Sequence, residues 1–344
     1  MCPSIEAKTF KPAPFFPNCL LQTMAASLVV QPNKNIQFKE ESVLYLNTNE
    51  DSGLRLYWPR FENTQVEFIR NDVLILVIPG MTGTVNDVYI NKLVEYITLV
   101  YQYKSVVYHY RFVADHFPKT EKPFDLTQDL EHTLEFIQKN YPEYKHIYAI
   151  GHSYGANFMV NYLGKSKENS KIKGAVSVAN PYCLVTSFRL MKGKFYDWVI
   201  VFLFSSLLKN KRRIFKNMIQ QNKLDIDLEG SIQATNTHDI IKRFNRKFLG
   251  YKTVGEYQRK HSSVRKIHKV KVPLLGLSSE DDQISHKRGI PKEEFELNPN
   301  CMLMVTKSGG HVGYVEATNL FNYRIWYFQP CLEYIQALID IEKI

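Results

Sequence analysis

The chain has 344 residues, 44% of them hydrophobic and 13% aromatic, with 44 Lys and Arg against 34 Asp and Glu for a formal charge of +10. That hydrophobicity excludes a disordered polyelectrolyte, and ordinary Gly and Pro content without a fixed-period repeat excludes collagen-like and solenoid architectures. Five scattered cysteines with no C-x-x-C pair argue against a disulfide framework or a zinc site, and the length suits one large α/β core carrying an insertion as well as two modest domains.

In chain order, residues 1–45 are punctuated by proline and predict an irregular amino-terminal arm packed on the core, with an apolar patch at 19–30. The start lacks the basic segment and apolar run of a secretory signal, so an intracellular, cytoplasmic or peripheral-membrane protein is expected. Residues 73–78, Val-Leu-Ile-Leu-Val-Ile, form an unbroken apolar run stopped by Pro79-Gly80, the pattern of a strand buried on both faces of a parallel sheet. Weaker strands follow at 105–110, 146–150, 174–179, 273–277 and 301–306. Leu126, Leu130, Leu134 and Ile137 mark one face of a helix between the second and third of the six. This alternation predicts an α/β core, a mostly parallel sheet with helices on both faces. It occupies residues 46–180 and 273–344 and is interrupted by a basic helical cap at 181–272.

After the strand ending at Ile150 comes Gly151-His152-Ser153-Tyr154-Gly155, and a helical pattern follows at once. This is G-x-S-x-G in the strand, turn and helix context of a nucleophile elbow, where the glycines keep side chains out of a turn too tight for them. Ser153 is therefore the candidate nucleophile, and the N–H of Tyr154 is one candidate oxyanion donor. A serine hydroxyl needs a base and an orienting carboxylate, which in this context follow in the order acid, then histidine. His311, in Ser308-Gly309-Gly310-His311 after the last strand, is the candidate base. His132, His261 and His268 read as surface side chains, and His152 as a packing residue of the elbow. In the loop after 273–277, Asp282 is the first choice of acid, Asp281 the second, and Glu280 reads as solvated. The loop after the first strand, Pro79-Gly80-Met81-Thr82-Gly83-Thr84, offers the Met81 N–H as the second oxyanion donor. It lacks the Lys-Ser/Thr ending of a phosphate-binding loop.

Taken together, the motifs resemble one group of α/β-hydrolases, that of the YheT-like proteins, ABHD-type phospholipases, monoacylglycerol lipases and yeast ethanol acyltransferases. Asn18-Cys19-Leu20-Leu21-Gln22-Thr23 is similar to its N-G-H-L-Q-T signature, and Pro79 to Gly83 to its P-G-L-T-G loop. Gly151 to Asn157 with Tyr162-Leu163-Gly164 resembles G-x-S-x-G-G-N with K-Y-L-G. Residues 248–257 resemble F-G-Y-x-S-x-x-E-Y-Y, Asp281-Asp282 matches D-D-P, and Gly309 to Tyr314 matches G-G-H-x-G-F. Ala156 stands where the group has glycine, and Gln283 where it has proline. The resemblance implies a Ser153-Asp282-His311 triad acting on ester lipids, with no metal or cofactor.

The charge is unevenly spread. Residues 192–216 carry +6, 217–241 carry −3 and 242–271 carry +10, so the remaining 264 residues total −3. The apolar stretch 198–208 is about half the roughly 20 residues needed to span a bilayer. Its basic flanks suit a lid resting on an anionic membrane surface, and a buried cap helix with solvated ends is the competing reading. The expected function is hydrolysis of carboxylic acyl esters such as monoacylglycerol or medium-chain glycerolipids. Acyl transfer to an alcohol is the alternative within the same chemistry. An alternative of a different class is nucleic-acid binding through 242–271, whose Phe244, Phe248, Tyr251 and Tyr257 interleave with cations. No recognised nucleic-acid motif is present, so no nucleic acid is expected as partner.

Overall fold

The computed structural model describes residues 2–6, 10–46, 50–62, 64–111, 125–319 and 322–341. Its main sheet has eight strands: β1 (Ile36–Leu44), β2 (Asp51–Phe61), β3 (Val73–Ile78), β4 (Lys104–His109), β5 (His146–His152), β6 (Ile172–Val178), β7 (Leu274–Ser279) and β8 (Cys301–Thr306). They lie in the order β1-β2-β4-β3-β5-β6-β7-β8. From β4 to β8 every pairing is parallel, and β1 and β2 add an antiparallel edge beside β4.

The unbroken apolar run of β3 follows from burial on both faces. Val73, Ile75 and Val77 enter one core, and Leu74, Leu76 and Ile78 the other, all wholly buried. The first core is closed by the helices Cys19–Leu28, Val88–Glu95 and Phe328–Ile341, through Ala25, Leu93 and Ile335 among others. The second is closed by Leu126–Asn140 and Tyr154–Ser166, and the expected stripe Leu126, Leu130, Leu134, Ile137 faces it. Because β4 flanks β3 on one side and β5 on the other, the chain reverses direction across the sheet at the carboxyl ends of β3 and β5. A crevice forms at such a point in open α/β sheets.

The amino-terminal stretch differs from the expected irregular arm. Cys19–Leu28 is a helix capped by the Asn18 side chain, and Ile36–Leu44 is a strand of the main sheet. Only Ile36 and Val43 of that strand are buried, so an edge position leaves Lys39 and Glu40 exposed, while Glu41 is half-buried and accepts from Trp58 and Tyr141, and charges on both faces hide the strand pattern in the sequence.

Between β6 and β7 the chain is helical, with Leu184–Met191, Phe195–Asn210, Arg212–Gln221, Leu228–Ile232, Thr237–Ile240 and Val254–His261. These segments have a small core of their own, where Val201, Phe204, Leu208, Phe215, Phe244 and Phe248 pack together and Met81 touches from the core side. Asp197, 1% exposed, accepts hydrogen bonds from the N–H groups of Gly193 and Thr237, both at 2.8 Å. Phe244, Phe248 and Tyr257 are buried, which removes them as stacking platforms for bases. The acidic stretch 217–241 answers part of the basic charge through ion pairs Arg212–Glu229, Arg243–Asp227 and Lys247–Asp225 at 2.6–2.7 Å. No helix among the described residues is long and apolar enough to cross a membrane.

Candidate active site

β5 ends at His152 and a helix begins at Tyr154, so Ser153 alone makes the turn, at φ 51° and ψ −122°. Holding a non-glycine residue in such a conformation costs about 1–3 kcal/mol and needs surroundings that over-determine it. Here the Ser153 N–H donates to the carbonyl of Val178 at 2.8 Å, and its own carbonyl accepts from Asn157 at 3.0 Å. A Cβ on Gly151 would lie 2.8 Å from Cα of Ala156, and one on Gly155 only 2.1 Å from the carbonyl oxygen of Pro79. Both glycines are required by backbone, which cannot swing aside. Ala156 is wholly buried, so its methyl is packed where the resembling group has none.

His311, on the loop after β8, brings Nε2 to 2.7 Å from Ser153 Oγ. Its Nδ1 stands 2.8 Å from Asp282 Oδ2, on the loop after β7. The other carboxylate oxygen of Asp282 accepts from the N–H groups of Ile284 and Ser285 at 2.8 and 2.9 Å. Asp282 is 1% exposed. A carboxylate fixed by two backbone donors can face the ring from one direction only, which holds Nδ1 as the protonated nitrogen and turns the lone pair of Nε2 toward the serine. Asp281 does different work: its Oδ1 accepts from the N–H of Gly310 at 3.0 Å, bracing the histidine loop. Sequence reasoning did not find the Ile284 and Ser285 donors. Their contribution is a backbone one, visible only as the turn after Asp282.

The loop after β3 runs directly over the serine, since a Cβ on Gly80 would sit 3.4 Å from Cβ of Ser153. It is held by the Tyr110 hydroxyl, which donates to the carbonyl of Pro79 at 2.5 Å, and by the Gly80 N–H, which donates to the Tyr89 hydroxyl at 3.2 Å. Met81 follows on this loop and lines the same cleft as Ser153. The Tyr154 N–H belongs to the first turn of the helix Tyr154–Ser166, where no intrahelical acceptor exists.

His152 is wholly buried, edge-on to Tyr89 and Tyr327, with Nδ1 3.3 Å from the carbonyl of Ile78. Burial pushes its pKa down to about 4, so it is a neutral packing residue. His261 is not the surface side chain expected. Its ring lies 4.7 Å from that of Tyr257, its Nδ1 is 3.5 Å from the Tyr154 hydroxyl, and burial pushes its pKa down to about 4. A basic neighbourhood in sequence hid an inward-pointing ring.

Ser153 and His311 open into a cleft of about 720 Å³ whose walls include Leu20, Leu184, Leu203 and Ile284. A smaller pocket of about 30 Å³, walled by Phe215, Phe244, Phe248 and Leu249, shares Met81, Tyr154, Phe204 and Leu207 with it. The helix Phe195–Asn210 lines the cleft with Val199, Ile200 and Leu203, and on another side leaves Trp198 and Phe202 more than half exposed, stacked at 5.6 Å. Such an arrangement can carry out nucleophilic attack by an activated hydroxyl on an apolar substrate.

A family model described as the alpha/beta hydrolase fold matches residues 73–318. The embryogenesis-associated protein EMB8 of Picea glauca is 30% identical over 84% of this chain and 65% of its own length. The monoacylglycerol lipase of Saccharomyces cerevisiae is 26% identical over 78% and 60% respectively. The phospholipase ABHD3 of Mus musculus is 26% identical over 82% of this chain and 67% of its own. The chain thus spans less than two thirds of the first two of these relatives. Among solved structures, the Pyrococcus furiosus esterase Pf2001 aligns with a TM-score of 0.52 at 17% identity, over 89% of this chain and 90% of that one, a likeness of fold.

Proposed function

Because the chain belongs to the α/β-hydrolase fold family, we propose that it is a serine hydrolase cleaving carboxylic acyl esters, with lipid esters such as monoacylglycerol or medium-chain glycerolipids as its substrates. The observation that carries this reading is the hydrogen-bonded line from Asp282 through His311 to Ser153 at the base of an apolar cleft. Ser153 Oγ attacks the ester carbonyl carbon while His311 Nε2 takes the hydroxyl proton. The carbonyl oxygen becomes an oxyanion facing the Met81 and Tyr154 N–H groups. Collapse of the tetrahedral species breaks the ester C–O bond, and His311 returns its proton to the departing alcohol. Water then repeats the sequence on the acyl-enzyme, giving the free acid and regenerating Ser153. Asp282 holds the imidazole and stabilises its protonated form throughout.

In this reading residues 181–272 are a cap over the cleft, and the apolar part of the cleft of about 720 Å³, walled by Leu184, Val199, Ile200 and Leu203, receives the acyl chain. The exposed Phe195, Trp198 and Phe202, flanked by exposed Lys192, Lys194, Lys209 and Arg213, rest on an anionic lipid surface from which the substrate enters. The relatives named monoacylglycerol lipase and phospholipase support a lipid ester over a small soluble one.

The test is an ester panel running from short nitrophenyl esters to monoacylglycerol and phosphatidylcholine, with Ser153→Ala beside the native protein. Native turnover with free acid as product, and loss of both turnover and fluorophosphonate labelling in Ser153→Ala, is the expected result. Labelling that persists in the variant would sink the assignment. Ethyl esters formed when ethanol is present would move the activity to acyl transfer.

A further inference from the structure

The Leu21-Gln22-Thr23 motif lies outside the matched family region and far from the candidate triad in sequence, yet its side chains hold the histidine loop. The main-chain N–H of His311 donates to Thr23 Oγ1 at 2.9 Å, and that hydroxyl in turn donates to the carbonyl of Cys19 at 2.9 Å. Gln22, wholly buried, uses both ends of its amide on Val315, where the histidine loop ends, and one of them also on Phe16. Its Oε1 accepts from the Val315 N–H at 2.6 Å, and its Nε2 donates to the carbonyls of Val315 and Phe16 at 3.2 and 2.7 Å. The approach is close: a Cβ on Gly310 would fall 2.6 Å from the Cys19 carbonyl oxygen, and one on Gly313 only 2.4 Å from that of Gln22.

The loop needs such restraint. Gly309 and Gly310 have φ of 149° and 62°, and two residues without glycine's freedom, Val312 and Tyr314, also sit at positive φ, 62° and 49°. A β-branched residue there is strained, and strain of this kind persists only where surrounding contacts over-determine the backbone. On the other side, the Ser279 hydroxyl donates to the Gly310 carbonyl at 3.0 Å, and Asp281 accepts from its N–H. His311 is thus gripped through its main chain on the side of the helix Cys19–Leu28, while Asp282 and Ser153 fix only the two ring nitrogens.

We propose that Gln22 and Thr23 are positioning residues for His311, keeping Nε2 on the line to Ser153 through a turnover in which the ring must accept and then return a proton. This rests on the reading of His311 as the base. Without the Thr23 oxygen the His311 N–H loses its acceptor and the strained loop relaxes, carrying the imidazole off line. Thr23 is also one of many residues lining the cleft, and a near-isosteric replacement alters that wall by a single atom, so substrate binding changes little.

The experiment compares Thr23→Val, which keeps shape but removes the acceptor, with Thr23→Ser, which keeps the acceptor, using a soluble short-chain ester. Rates are expressed per serine titrated to completion by a fluorophosphonate, so that unfolded protein is not counted. Thr23→Val is expected to lower kcat roughly ten- to a hundredfold with KM within about twofold, since small misplacements of a reacting group cost rates of that order. Thr23→Ser should return kcat to within about threefold of the native value, at unchanged KM. A native kcat in Thr23→Val, a loss appearing in KM, or a Thr23→Ser as impaired as Thr23→Val would each overturn the proposal. Ser153→Ala run in parallel separates the two levels: if it is inactive the site reading stands and only the clamp is at stake, and if it is active the site reading itself fails.

Discussion

Two neighbouring aspartates illustrate how much chemistry one residue position decides. Asp282 faces His311 Nδ1 while Asp281 faces the N–H of Gly310, so identical side chains one residue apart orient a ring and brace a backbone. Asp282→Asn should therefore lower kcat by about three to four orders of magnitude, the scale on which an amide imposes the wrong imidazole tautomer in a serine triad. Asp281→Asn retains an acceptor oxygen for Gly310 and should cost less than about tenfold, within what loss of a charge-assisted hydrogen bond implies. Steady-state kinetics of the two variants check this, and equal losses would contradict it. That Ser153, His311 and Asp282 meet in space was legible because glycines and acids in loops after strands have few structural reasons to be there. The Gln22 and Thr23 contacts were not legible, because they join positions 288 and 293 residues apart and no local pattern encodes such a pairing.

At the scale of the element, the helix Phe195–Asn210 carries three different surfaces. Val201, Phe204 and Leu208 enter the small helical core, Val199, Ile200 and Leu203 line the cleft, and Trp198 and Phe202 face outward. Its sequence supports two readings, a lid resting on an anionic membrane surface and a buried cap helix with solvated ends, and the helix has both a buried side and an exposed apolar one. If the outward side meets lipid, Trp198→Ser with Phe202→Ser should reduce co-sedimentation with anionic vesicles several-fold, because each loses well over 1 kcal/mol of buried apolar area at the interface. Hydrolysis of a soluble short ester should be unchanged. Equal binding of the native protein to neutral and anionic vesicles would remove the electrostatic part of the idea. Strand content was readable where burial on both faces forces a continuous apolar run, as in β3. It was unreadable in β1, where an edge position leaves charges facing water.

For the whole molecule, charge and burial set the response to solution conditions. His109, His152 and His261 each have a pKa pushed down to about 4 by burial. An unfolded chain protonates histidine near pH 6.5, so between about pH 6.5 and 4 the unfolded state binds more protons than the native one. Stability is full above that window and is lost as pH falls through it. The melting temperature should drop steadily from about pH 6.5 to 4, and a flat profile measured by calorimetry would show that these rings are charged in the native state. The net +10 already counts every acid, so it stays as excess charge on residues 192–271, which total +13 against −3 for the rest, and the three ion pairs there contribute at most about 1 kcal/mol each. The helix Cys19–Leu28 has a practical corollary. A fragment trimmed to residues 73–318 would keep Ser153, Asp282 and His311 and every parallel strand, yet lose β1, β2, the helix Phe328–Ile341 and the grip of Gln22 and Thr23. The span matched by the family model is thus shorter than the span that holds the His311 loop, and a fragment cut to it is expected to turn over a soluble short ester more slowly than the full chain, a comparison that steady-state kinetics makes directly.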